Sequence, residues 1–178
     1  MFILRLTIQR QRLKKQEVER EFENAIRENE LLIHKVCRIY AYTDEDREDL
    51  FQDIVIQLWK SYHRFKGNSK FSTWMYRVSL NTAITSLRKQ KNVVMANHPA
   101  VAAADIVDDN YNTGEEERLQ HLYTAIEQLN QVDKAIVMLY LEDKSYEEME
   151  EVLGMSQAHI RVKMNRLKEK LRQLTKDM

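Results

Sequence analysis

One cysteine, one proline and three glycines are all that 178 residues hold of the residue types that pin or break a chain. A lone Cys37 excludes an internal disulfide and the disulfide frameworks of small secreted domains, so a reducing compartment is expected. With so little Gly and Pro, tight hairpins are scarce and helices can run long. No apolar run approaches the roughly 20 residues that cross a bilayer, so membrane insertion is not expected. Met1 to Ile8 is mildly apolar, but a basic stretch follows it instead of a small-residue cleavage site. It does not read as a signal peptide, and a cytoplasmic protein is expected. Catalytic patterns are missing too. His34, His63, His98, His121 and His159 are scattered without metal spacing, and there is neither a phosphate-cradling Gly loop nor a nucleophile motif. Neither enzymatic activity nor a cofactor is expected.

What is present is a helix-former's composition, dominated by Leu, Glu, Gln, Lys, Arg, Met and Ala, which predicts an all-α protein. The length accommodates one large domain or two small ones. Net charge is zero, but the charges are segregated. Seven basic residues and no acid lie between Ser61 and Lys91, and seven more lie between Ser156 and Lys176 against Glu169 alone. The balancing acids sit at Asp44 to Asp53, Asp105 to Asp133 and Glu142 to Glu151. Blocks of this kind put two positive surfaces on a neutral chain, the electrostatic footprint of a nucleic-acid partner.

Apolar spacing predicts a helix over Glu21 to Tyr42, with Phe22, Ile26, Ile33, Val36 and Tyr40 on one face and Cys37 as a buried core thiol. Asp44-Glu45-Asp46 suits a helix start, and Leu50, Ile54 and Leu58 carry that helix to Tyr62. A turn at Lys66 to Ser69 precedes a helix over Phe71 to Gln90. Asn92 to Gly114, with Pro99, Ala102-Ala103-Ala104 and Asp108-Asp109-Asn110, reads as a flexible linker. Helices are predicted beyond it at Glu115 to Leu129, Asp133 to Leu141, Ser145 to Leu153 and Ser156 to Leu174. The expected organisation is two small helical domains, 21–91 and 115–178, joined by the linker 92–114. Residues 1–20 form an N-terminal extension that either continues the first helix or frays.

Ser145-Tyr146-Glu147-Glu148 has the form of a capping box, with Tyr146, Met149 and Leu153 as the buried face of a short helix. Gly154 stands where a left-handed turn residue is wanted, and Ser156 caps the next helix. That helix carries the stripe Ile160, Met164, Leu167, Leu171, Leu174 and is otherwise basic. A short helix, a tight turn and a longer basic helix make a helix-turn-helix, whose second helix enters the major groove. Gln157, Ala158, Arg161, Val162 and Asn165 point away from the stripe and suit base edges, while Lys163, Arg166 and Lys168 suit phosphates. The plainer alternative is a helical hairpin with a solvated basic face.

The helix from Phe71 places Lys70, Trp74, Arg77, Asn81 and Arg88 in one sector and Phe71, Met75 and Val78 in another. A Trp among cationic and amide side chains suits unstacked bases, since every base offers a π-face. Arg64, Phe65, Lys66, Asn68 and Lys70 in the preceding loop could hold separated strands with one base turned in. Alternatively, Trp74 packs against other helices and the charges are merely solvated.

Two stretches resemble the extracytoplasmic-function group of bacterial sigma factors. Asp49-Leu50-Phe51-Gln52-Asp53-Ile54-Val55-Ile56-Gln57-Leu58-Trp59, followed by Phe65 to Val78 and Asn81, is similar to the family's region 2. Ser145 to Met149, Leu153-Gly154-Met155-Ser156 and Ile160 to Leu167 are similar to its region 4. The resemblance implies a non-enzymatic subunit whose partners are core RNA polymerase, at its β′ clamp and β flap, and promoter DNA, with an anti-sigma factor as a partner common in the family. It implies core-polymerase contacts at Asp49, Gln52, Asp53 and Gln57. Contacts to the melted −10 strand are implied at Arg64, Lys66, Asn68, Lys70, Trp74, Arg77, Asn81 and Arg88. Contacts to −35 DNA are implied at Arg161 and Arg166, and the helix-turn-helix reading adds Ser156, Gln157, Ala158, Val162, Lys163 and Asn165 as candidates for the same DNA. The chain departs from the family pattern at Thr85 and Lys163, where Asp and Arg are frequent, and at Leu129-Asn130-Gln131, where a Pro is usual. The competing reading is an independent regulator with a C-terminal helix-turn-helix and an N-terminal sensing or dimerisation domain, which leaves the acid-free aromatic segment Ser61 to Lys91 without a role.

Overall fold

The computed structural model describes residues 2–93 and 121–176, with side chains described over 12–88 and 121–176. These residues form helices α1 (Phe2–Glu28), α2 (Glu30–Tyr40), α3 (Asp44–Tyr62) and α4 (Phe71–Val93), then α5 (121–127), α6 (Gln131–Leu141), α7 (Tyr146–Leu153) and α8 (Gln157–Lys176). No strand occurs among the described residues, and the all-α, two-domain architecture is the one expected.

The single helix predicted over Glu21 to Tyr42 is two helices. Asn29 leaves the helical region, with φ −122° and ψ 13°, and its side-chain amide donates to Ala25 O at 2.8 Å. A short amide side chain competes in this way with the helical ladder and breaks it. The N-terminal extension continues as α1, which is anchored where Phe22 meets Trp59 and Tyr62 edge-on at 4.9 and 5.2 Å. Leu13 and Val18, earlier on α1, are exposed.

Helix α3 starts as its acidic cluster suggests. Thr43 Oγ1 accepts from the Asp46 N–H, and Asp44, Glu45 and Asp46 occupy the first turn, against the positive end of the helix dipole. Leu50, Ile54 and Leu58 pack with Ile33, Val36, Cys37 and Tyr40 of α2 and with Met75, Tyr76, Leu80 and Ala83 of α4. Each such aliphatic side chain contributes about 1.5–3 kcal/mol when fully buried. Burial pushes the Cys37 thiol up to about 12, so the core-thiol expectation holds. Helix α4 runs to Val93, taking Asn92 and Val93 out of the predicted linker; the remainder of that linker and residues 115–120 of the next predicted helix lie outside the described residues.

In the second half, the Leu129-Asn130-Gln131 stretch starts a helix with an asparagine cap: Asn130 Oδ1 accepts from the Asp133 N–H at 3.0 Å. Both arms of the Ser145/Glu148 capping box form, worth about 0.5–2 kcal/mol on the Ser side alone. Gly154 adopts φ 67° and ψ 23° and turns the chain into α8. The buried residues of α7 are Met149 and Val152, while Leu153, expected on that face, is half-buried. Ile160, Met164, Leu167 and Leu171 bury the inner face of α8 as expected.

The two halves pack on each other, α4 against α7. Tyr40 Oη donates to Gln131 O at 2.6 Å. Glu142 joins both halves, accepting from Lys35 Nζ at 2.7 Å and from Tyr76 Oη at 3.2 Å. Lys134, 2% exposed, reaches Ile39 O and Tyr42 Oη at 3.5 and 3.4 Å.

Candidate nucleic-acid interface

The loop between α3 and α4 is folded by its own backbone. Arg64 N–H donates to Ser61 O at 2.9 Å and Phe65 N–H to Tyr62 O at 3.0 Å, and Gly67 takes φ 72°, a left-handed conformation that glycine adopts without strain. The folded loop leaves Arg64, Lys66, Asn68 and Lys70 exposed and turns Phe65 inward. Trp74 is half-buried, its ring 5.2 Å from Phe65, 5.3 Å from Phe71 and 6.4 Å from Tyr62. An aromatic bed therefore holds it from one side. Arg77, Asn81 and Arg88 are exposed farther along α4, completing the sector read from the sequence. A cationic rim around a supported indole can pair phosphates and offer a ring to an unstacked base.

On α8, Ala158, Arg161, Val162, Asn165 and Arg166 are exposed, as is Ser156, whose hydroxyl accepts the His159 N–H at 3.4 Å. Gln157 Nε2 donates to Glu150 Oε2 at 3.0 Å. The Arg161 guanidinium lies over the Tyr146 ring, 4.6 Å from its centroid. Lys163 Nζ sits 2.5 Å from Asp133 Oδ1 and ties α8 to the first turn of α6; Lys168 Nζ donates to Tyr140 Oη at 2.7 Å. The two lysines assigned to phosphates from the sequence thus have partners inside the domain. His159, exposed at the start of α8, was not singled out from the sequence; its place three residues before Val162 on a helix could have drawn notice.

The two surfaces touch. Lys70 Nζ lies 2.9 Å from Glu148 Oε1. The hydrogen bond to Glu148 raises the Lys70 amine above its ordinary value. In turn the Lys70 hydrogen bond, and then the Ser145 N–H, hold Glu148 below the usual carboxylate range.

On α3, Asp49, Gln52, Asp53 and Gln57 are all exposed, on the side away from the core. Ile56 and Trp59 share that side at 47% and 39% exposure. Neither was assigned a contact from the sequence, where both appear only within the stretch that resembles region 2. Their signal was helical spacing, since 52, 56 and 59 stand at i, i+4 and i+7. Asp46, Asp49 and Asp53 also border a cavity of about 160 Å³ closed by Tyr40, Ala83 and Leu87. A second, apolar groove of about 260 Å³ lies between α5, α6 and α8, lined by Leu122, Val137, Leu141, Met164 and Leu171.

Residues 25–93, ending where α4 ends, match the family described as Sigma-70 region 2, and residues 119–171 match Sigma-70, region 4. The RNA polymerase sigma factor CarQ of Myxococcus xanthus is 31% identical over 134 residues, covering 71% of this chain and 73% of that protein. The ECF RNA polymerase sigma factor SigG of Mycobacterium tuberculosis is 37% identical over 62 residues, 35% of this chain, and the chain spans 16% of that protein's length. The fold is shared with the sigma factor RpoE solved in complex with the anti-sigma factor NepR from Bartonella quintana, with TM-score 0.72 and 18% identity over 88% of this chain and 97% of that one. With regions 2 and 4 matched in order on two helical domains, the chain belongs to the sigma-70 family of RNA polymerase sigma factors, in its extracytoplasmic-function (ECF) group.

Proposed function

We propose that this chain directs promoter-specific transcription initiation as a non-enzymatic subunit of RNA polymerase in the cytoplasm, gripping promoter DNA at two places. The observation that carries this reading is the pairing of two unlike cationic surfaces on one chain. The α3–α4 loop sets Arg64, Lys66, Asn68 and Lys70 around an indole bedded on Phe65 and Phe71, a surface for separated strands. The outer face of α8 presents Arg161, Val162, Asn165 and Arg166 with no stacking platform among them, a surface for the edges of paired bases.

Asp49, Gln52, Asp53 and Gln57 form the polymerase contact on α3, at the β′ clamp. The apolar groove between α5, α6 and α8 gives a helix of the β flap an apolar seat away from the outer face of α8. Glu148 competes with a phosphate for Lys70, so the packing of α4 on α7 suits the chain off DNA, and the halves part on the promoter. An anti-sigma factor, the partner of the RpoE neighbour, is a fitting inhibitor here because it would cover the cationic surfaces.

Purified chain added to core polymerase lacking any sigma subunit should start transcripts at discrete sites on genomic DNA fragments. Binding to duplex DNA without binding to core, and with no transcripts, would instead establish the independent regulator.

A further inference from the structure

We infer that Tyr146 is a positioning residue for base recognition: its ring face holds the Arg161 guanidinium on the helix-turn-helix surface while leaving its N–H donors for DNA. This rests on the proposed role of Arg161 in reading −35 DNA. Tyr146 opens α7 immediately after the cap residue Ser145, inside the capping box, which fixes the backbone that carries it. The ring is half-buried and packed against the core, so it is a fixed platform. Arg161 sits one turn into α8 with its guanidinium carbon 4.6 Å from the ring centroid. A cation over the face of a ring is drawn to the negative π-cloud.

The geometry of that contact decides what it can do. A contact with the ring face uses none of the guanidinium's N–H donors for a hydrogen bond, and those are the donors that pair bidentately with guanine O6 and N7. Among the described residues, none forms a hydrogen bond or ion pair with the Arg161 guanidinium. Two other polar residues of this surface are held differently. Gln157 gives an amide N–H to Glu150, and Lys163 is tied by its ammonium to Asp133. Arg161 is therefore immobilised without losing its donors. A long side chain held this way has already lost rotamer freedom that it would otherwise lose on binding.

The test uses the holoenzyme, formed with the full chain, on duplex DNA carrying a randomised upstream element, with bound molecules sequenced. Arg161→Ala identifies the position it reads by flattening preference there. Tyr146→Leu should lower preference at that same position by about two- to five-fold, the strength of an exposed cation–π contact, and leave neighbouring positions unchanged. Tyr146→Phe should retain the preference. Pentafluorophenylalanine at position 146 keeps a ring of similar size and removes the negative face; it should behave like Tyr146→Leu, which guards against a leucine variant that folds poorly. Unchanged preference with both Tyr146→Leu and the fluorinated ring, or an equal loss at every position, overturns the positioning role. If Arg161→Ala flattens no position, the reader assignment itself fails and the positioning role falls with it.

Discussion

Lys70 Nζ lies 2.9 Å from Glu148 Oε1, so the last residue of the α3–α4 loop is bonded to the first turn of the helix-turn-helix. On the proposed reading of that loop, Glu148 competes with a DNA phosphate for Lys70. Glu148→Gln removes the charge and keeps the capping box, because glutamine serves equally at the third helical position. Single-stranded oligonucleotide binding by the free chain should strengthen several-fold. The slope of log affinity against log salt should steepen by about 0.7, the value of one added phosphate contact on a single strand. Fluorescence anisotropy across a salt series reads both; an unchanged slope would show that Lys70 is not released to DNA.

Acid should loosen the same contact. Lys70 holds Glu148 below its ordinary carboxylate value in the folded chain. The stabilisation is therefore complete above the unfolded carboxylate value and is lost as pH falls through the lowered one. Energy transfer between dyes placed on α4 and α7 should decline on acidification, and in Glu148→Gln this component of the decline should be missing.

Gly154 turns the chain between α7 and α8 at φ 67°, and a Cβ built there meets nothing within 4 Å. Strain in Gly154→Ala is then purely backbone, about 1–2 kcal/mol. Gly154→Asn should lose less, since asparagine tolerates the left-handed region. Urea unfolding checks the order Gly, Asn, Ala; equal losses for the two variants would point to crowding in place of backbone strain.

Cys37 is 1% exposed, its thiol pushed up to about 12 by burial. Alkylation of the native chain at pH 8 should therefore proceed only through opening, at least about a thousandfold slower than in urea. Fast labelling would mean that the α2–α3–α4 core opens readily.

Local signals were legible where one short stretch carried the whole mechanism. Ser145 and Glu148 announce the α7 cap, Gly154 the turn, and Ile160 to Leu171 the buried face of α8. The break at Asn29 was hidden because the apolar spacing from Phe22 to Tyr40 continues across it, while the bond to Ala25 O that ends α1 leaves no periodic trace. Contacts between the halves were not legible at all. Lys35 meets Glu142 across 107 residues of sequence, and nothing in either neighbourhood marks the other as its partner. The same holds for the Asp133–Lys163 tie, which turns a lysine that reads as a phosphate contact into a brace between α6 and α8.

On the proposed reading, one chain grips a promoter at two places by two different chemistries. Permanganate reactivity of unpaired thymines, measured together with upstream footprinting on one promoter, tests it in wild-type, Trp74→Ala and Arg161→Ala holoenzymes. Trp74→Ala should keep the upstream footprint but lose most of the permanganate signal, whereas Arg161→Ala should weaken the footprint itself. Equal loss of both signals in both variants would contradict it.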